Sequence, residues 1–124
     1  MATFKDQGNA AFKNKDYTAA VELYTKALTE TPNEHTILGN RAAALHNMQK
    51  YNDALLDAEK CIAIKPDWSK GYQRKAMAQQ AMGDLEAACE NYSKAVEIDP
   101  ANVQAKTMNE ACEKQQLQQM MGGM

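Results

Sequence analysis

Aromatic residues are scarce, making up 6% of the 124 positions, whereas alanine is abundant. A core of bulky rings is thereby excluded, and helices that approach closely through small side chains are favoured. Long apolar runs are missing as well, since nothing approaches the ~20 residues that a membrane-crossing helix needs. The opening Met1-Ala-Thr-Phe-Lys-Asp lacks the apolar stretch of a secretory signal, so the expectation is a cytoplasmic chain with no membrane partner. Cysteine is rare. Cys61, Cys89 and Cys112 are odd in number and fit no zinc spacing, so they read as buried, reduced thiols. His35 and His46 stand at no metal or triad spacing. There is no glycine-rich phosphate loop, no His/Cys/carboxylate cluster and no nucleophile elbow, so neither an enzyme nor a cofactor protein is expected.

Proline is the scarcity that informs most. The three prolines are Pro32, Pro66 and Pro100, separated by 34 residues each time. A fixed period of this length marks a solenoid of stacked supersecondary units. Other columns keep the same phase: Gly8, Ala42 and Ala76; Ala20, Ala54 and Ala88; Ala27, Cys61 and Ala95; Leu28, Ile62 and Val96. Small stays small and large apolar stays large, which divides the chain into repeats 1–34, 35–68 and 69–102.

Within a repeat, Phe4, Gly8, Ala11 and Phe12 follow the spacing of a helix face, as do Val21, Tyr24, Ala27 and Leu28. Polar Asn14-Lys15-Asp16 separates the two. The pattern predicts further helices over 34–48, 51–64, 69–82 and 85–98, with each proline ending a pair. Asp67 and Ser69 are candidates to cap the helix that follows Pro66. Gly8, Ala20 and Ala27 are expected where the helices of a pair touch, with Tyr17, Tyr24, Tyr51 and Tyr92 filling the gaps between pairs. A capping helix is predicted over about 101–118, burying Ala101, Ala105, Met108 and Cys112. The glutamine- and methionine-rich stretch 119–124 is expected to fray into a flexible linker, with 1–118 as the domain.

The formal net charge of −2 conceals a segregation. The first-helix segments carry Lys5, Lys13, Lys15, Arg41, Lys70, Arg74 and Lys75 against Asp6 and Glu34, whereas the second-helix segments are net acidic. One helix layer is basic and can draw in an anionic partner despite the overall charge. Helical repeats that read RNA would need base-reading pairs in every unit. Here the groups sit mainly in units one and three, so no nucleic acid is expected.

The 34-residue period, the small columns and the prolines resemble the tetratricopeptide repeat. That resemblance implies an all-α, right-handed superhelix of three helix pairs plus a capping helix, whose first helices line a concave peptide-binding groove. A narrower resemblance rests on Lys5-Asp6-Gln7-Gly8-Asn9, Gly39-Asn40-Arg41-Ala42-Ala43 and Trp68-Ser69-Lys70-Gly71-Tyr72-Gln73-Arg74. These stretches are similar to the dicarboxylate-clamp subclass, which grips the C-terminal Glu-Glu-Val-Asp tail of cytosolic Hsp70 and Hsp90. The clamp positions fall on Lys5, Asn9, Asn40, Lys70 and Arg74. Pro66-Asp67-Trp68-Ser69-Lys70-Gly71-Tyr72, and a clamp that begins near Met1, most resemble the N-terminal domains of Hop/Sti1 co-chaperones, which favour Hsp70. The resemblance thus implies a monomeric chaperone adaptor, with Hsp90 as the second candidate partner.

The chemistry of the residues is compatible. Lys5 and Asn9 are four apart, as are Lys70 and Arg74, so each pair shares a helix face. A chain ending in aspartate offers two carboxylates. Lys and Arg donate to them, and Asn both donates and accepts. Charge-assisted bonds of ~1.5–3 kcal/mol each, offset by the ordering of the peptide, predict micromolar binding, near about −8 kcal/mol. Phe12, Ala43 and Asn47 are candidates for the pocket that takes residues upstream. Asparagine at column 9 also has a reading in packing, and a scaffold repeat that takes some other peptide or helix is the alternative function.

Overall fold

Each polar triplet and each proline marks a boundary between two helices. In the computed structural model, which describes residues 2–122, the order is α1 (Phe4–Lys13), α2 (Tyr17–Glu30), α3 (His35–Asn47), α4 (Tyr51–Ile64), α5 (Ser69–Ala81), α6 (Leu85–Ile98) and α7 (Val103–Gly122). The predicted helices 34–48, 51–64, 69–82 and 85–98 fall within a residue of these at either end. Among the described residues there is no strand, and no helix is long and apolar enough to cross a membrane.

Local chemistry fixes several ends. Thr3 accepts from the Asp6 amide at 3.1 Å while the Asp6 carboxylate accepts from the Thr3 amide at 3.3 Å, a reciprocal cap on α1. Asp16 and Asp84 cap α2 and α6 by accepting from Ala19 and Ala87 amides. The turns inside the pairs place Lys15, Gln49 and Gly83 at φ 62°, 62° and 89°, the same repeat column each time. Two side-chain-bearing residues thus occupy a left-handed conformation that only glycine adopts without cost. The start of α5 corrects the sequence reading: Trp68 occupies its N-cap without a side-chain cap bond. Ser69 instead donates its hydroxyl to the Ala95 carbonyl at 2.7 Å, tying α5 to α6, and Asp67 pairs with Lys65.

Small columns let the pairs close. Ala20, Ala54 and Ala88 are 0, 1 and 0% exposed. Gly8 lies so close to Tyr24 that an added Cβ would meet its ring at 2.7 Å, and Gly39 faces the Trp68 ring at the same distance. Tyr24 and Tyr92 are buried as expected, whereas Tyr17 and Tyr51 are only half-buried. All three cysteines are free and buried, with the Cys89 and Cys112 thiols in contact where α6 meets α7.

Adjacent helices pack throughout, and α1 also touches α3, α3 touches α5 and α5 touches α7. No such contacts link α2, α4 and α6 among the described residues. Helices that meet on one side and splay on the other make a curved stack, with α1, α3 and α5 on its inner wall. α7 closes the end, burying Ala105 and Cys112 and half-burying Met108. Ala101 departs from the expected stripe: it lies exposed in the turn before α7. The helix also continues through residues 119–122, where a frayed tail was expected; positions 123 and 124 of that tail lie outside the described residues.

Candidate functional site

The inner wall contains a cleft of about 180 Å³ lined by Asn9, Phe12, Tyr24, Asn40, Ala43 and Arg74. Helices α1, α3 and α5 each contribute a polar residue to it, Asn40 and Arg74 from one repeat column and Asn9 from the column one turn later. Three of the five expected clamp residues, and two of the three expected pocket residues, therefore meet here.

The two asparagines are linked. Asn40 Nδ2 donates to Asn9 Oδ1 at 3.1 Å, and the Tyr24 hydroxyl donates to the same oxygen at 2.6 Å. An amide oxygen has two lone pairs, so this one is fully used. The NH2 of Asn9 and the carbonyl of Asn40 remain for something else, one a donor and one an acceptor. The packing and ligand readings of Asn9 are thus compatible, since its oxygen serves the first and its nitrogen is left for the second.

Arg74 is the unusual member. It is half-buried, its Nε is shut off from solvent without a hydrogen-bond partner among the described residues, and its Nη1 lies 3.6 Å from the Met77 sulfur. Among the described residues no carboxylate pairs with it. Burial pushes the guanidinium below its usual pKa, opposed by nearby Cys61, Tyr24 and Tyr92. A charge partly kept from water without a counter-ion is costly to a fold, and such a group is a site candidate on physical grounds.

Lys5 reaches across to α3 and donates to the Thr36 hydroxyl at 2.8 Å, which itself donates to Glu34 Oε1 at 2.9 Å. That hydroxyl holds the Glu34 carboxyl below its usual pKa, with burial opposing and Lys5 and His35 assisting less. Lys70 lies one turn before Arg74 on α5, exposed, and no carboxylate pairs with it among the described residues. It also borders an open hollow with Asp67, Asp99 and Asn102. Asn47 lies apart from the cleft, its amide donating to the Ala43 carbonyl of its own helix at 2.9 Å.

Farther along the same wall a second hollow of about 270 Å³ is lined by His46, Met77, Gln80, Ala81, Tyr92, Met108 and Ala111. Burial and the charge of Arg74 push His46 below its usual pKa, partly countered by a backbone hydrogen bond at Met77. Sequence reasoning assigned Tyr24 to packing alone and overlooked Thr36. A signal existed for the first: asparagine at column 9 coincides with tyrosine at column 24 in unit one, whereas units two and three pair Ala43 with Ala58 and Met77 with Tyr92.

A curved stack of helix pairs with polar side chains along its inner wall is a helical-repeat solenoid of the kind that presents an extended concave surface. The tetratricopeptide repeat profile matches residues 6–34, 35–67 and 69–102. The chain belongs to the tetratricopeptide repeat family.

It is 50% identical over 105 residues to heat shock protein STI1 of Saccharomyces cerevisiae, covering 83% of this chain and 18% of that protein. The chain therefore spans about a fifth of the length of that relative. Among solved structures it is similar to the first repeat domain of Spaghetti (RPAP3) bound to the HSP90 peptide SRMEEVD. There the TM-score is 0.85 at 28% identity, covering 92% of this chain and 90% of that one. It is similar also to the second repeat domain of human RPAP3 in complex with the HSP70 peptide SGPTIEEVD. That match has a TM-score of 0.82 at 30% identity and covers 90% and 92% of the two chains.

Proposed function

We propose that the inner wall captures the free C-terminal end of an acidic peptide, namely the Glu-Glu-Val-Asp tail of Hsp70, with that of Hsp90 as a second partner. The chain then acts as a cytoplasmic co-chaperone adaptor through binding, not catalysis. The observation that carries this reading is Arg74, a half-buried cation with, among the described residues, an orphan Nε and no carboxylate, in the same cleft as an asparagine whose oxygen is saturated. A peptide ending in aspartate supplies the missing anion twice over, through its side chain and its terminus. In this reading Lys5, Asn9, Lys70 and Arg74 donate to the two carboxylates, and Asn40 accepts from a peptide N–H. Phe12 and Ala43 offer apolar surface to the valine, and the hollow beyond His46 takes residues farther upstream. The peptides bound by the two solved relatives share the ending EEVD, which supports the choice of ligand.

The test is a calorimetric titration with an octapeptide ending in Glu-Glu-Val-Asp and with the same peptide amidated at its C-terminus. The clamp requires micromolar binding of the first and loss of most affinity for the second. Equal affinity for both would favour a scaffold repeat that takes some other partner. Side-by-side titration with the two chaperone tails then ranks the partners.

A further inference from the structure

Tyr24 belongs to α2, and its ring is 1% exposed in the core between α1 and α3. Column position would make it a packing residue. Its hydroxyl does something more specific, because it emerges at the back of the cleft and meets Asn9 Oδ1. The separation of 2.6 Å fits an O–H donor to an oxygen acceptor and is short for an amide N–H donor. The sense of the Asn9 amide is thereby set, oxygen inward and nitrogen toward the groove.

From this geometry we infer that Tyr24 is a positioning residue for the proposed clamp: its hydroxyl orients the Asn9 amide so that a donor, not an acceptor, faces the incoming carboxylates. The inference rests on the functional reading above and adds a residue to it. Without the hydroxyl, the Asn9–Asn40 pair can turn over together and keep its mutual bond. Asn9 would then present its oxygen to an anion. An acceptor facing a carboxylate is repulsive, so the flip acts against binding and not against folding.

Two further observations support a dedicated arrangement. Burial raises the Tyr24 phenol to about 12, with Arg74 opposing, so the group remains a proton donor well above neutral pH. The third repeat holds a tyrosine in the same column, yet Tyr92 donates to Gln80 on the next turn, at 2.8 Å. The column thus supplies a buried ring, and the partner of its hydroxyl is chosen by the neighbouring helix. Gly8 provides the room, since any side chain there would push the Tyr24 ring out of place.

The experiment compares the unmodified chain with Tyr24→Phe, Asn9→Ala and the double variant. Each is titrated with the free-acid and the amidated Glu-Glu-Val-Asp octapeptide, and thermal melting shows that each is folded. Tyr24→Phe should weaken the free-acid peptide roughly five- to tenfold, the scale of one lost hydrogen bond. It should leave the amidated peptide unaffected, and in the Asn9→Ala background it should cost nothing further. Side-chain amide NMR adds a readout that packing would not move: the Asn9 NH2 signals should shift on peptide binding in the unmodified chain and not in Tyr24→Phe. Unchanged affinity in Tyr24→Phe overturns the inference, as does an equal loss with and without Asn9. If Tyr24→Phe does not fold, the NMR comparison and affinities are taken from Gly8→Ala, which displaces the ring instead; full affinity there overturns the inference. An unmodified chain that takes both peptides alike overturns the functional reading, and this inference with it.

Discussion

Arg41 and Asp57 form a two-pronged ion pair, Nε to Oδ2 at 2.6 Å and Nη2 to Oδ1 at 2.7 Å. The pair joins α3 to α4 and borders a hollow with Val21, Leu45, Asp53 and Leu56, away from the cleft that holds Arg74. Two arginines from first helices thus have opposite situations. One is neutralised within the fold, and the other has no carboxylate partner among the described residues. The basic character of the inner layer is therefore carried at the cleft by Arg74, with Lys5 and Lys70 one turn before Asn9 and Arg74 on their helices.

Removing Asp57 should accordingly be a stability change and not a binding change. Asp57 is 7% exposed, and its loss leaves the Arg41 guanidinium half-buried without its partner. Asp57→Ala should lower the unfolding free energy by about 2 kcal/mol. In urea titration the midpoint should fall, while peptide affinity stays within about twofold where the chain is folded.

The three intra-pair turns predict a stabilising change. Gln49 takes φ 62° where the third repeat has Gly83 at φ 89°. Gln49→Gly should relieve about 1 kcal/mol of backbone strain. The reverse variant Gly83→Ala should cost a similar amount, since a Cβ there meets nothing within 4 Å and only the backbone resists. Opposite shifts of the two melting temperatures would check both.

Most of this architecture was legible in sequence because a repeat states every rule three times. Ala20, Ala54 and Ala88 identify one contact column more firmly than any single alanine could. The start of α5 was not legible, because Ser69 has the composition of a cap but its hydroxyl finds the Ala95 carbonyl of a neighbouring helix, a partner 26 residues away. Residue types likewise announced Asn9, Asn40 and Arg74. They could not announce that Arg74 would be half-buried with no carboxylate among the described residues while Arg41 was satisfied, since that depends on which second helix carries a carboxylate within reach. Tyr24 was hidden for a related reason: a buried ring and a hydroxyl that bonds Asn9 are the same letter.

Acidification should loosen the fold through His46. Its pKa is lowered in the folded chain, first by burial and then by Arg74, with a backbone hydrogen bond at Met77 opposing and the Tyr51 ring 5.3 Å away. The unfolded chain binds the proton more readily, so the associated stability is full above the ordinary histidine range and is lost as pH falls toward the depressed value. Melting temperature should drop between pH 7 and 5.5, and His46→Gln should flatten part of that drop. In the proposed clamp the carboxylates of an added Glu-Glu-Val-Asp peptide offset Arg74, so the peptide should flatten it as well.

Arg74 separates stability from binding most sharply. Arg74→Met keeps an apolar stem while removing the guanidinium, its Nη1 contact with the Met77 sulfur, and an Nε that has no partner among the described residues. Replacing an uncompensated buried charge by an apolar side chain of similar length is neutral or favourable to a fold. In the proposed clamp the same change removes charge-assisted bonds of ~1.5–3 kcal/mol to the peptide, an expected loss of ~10- to 100-fold in affinity. Thermal melting should therefore hold or rise as calorimetric binding falls. A variant that melts several degrees lower and still binds the free-acid peptide would show that Arg74 supports the helices and leaves the chain end to other residues.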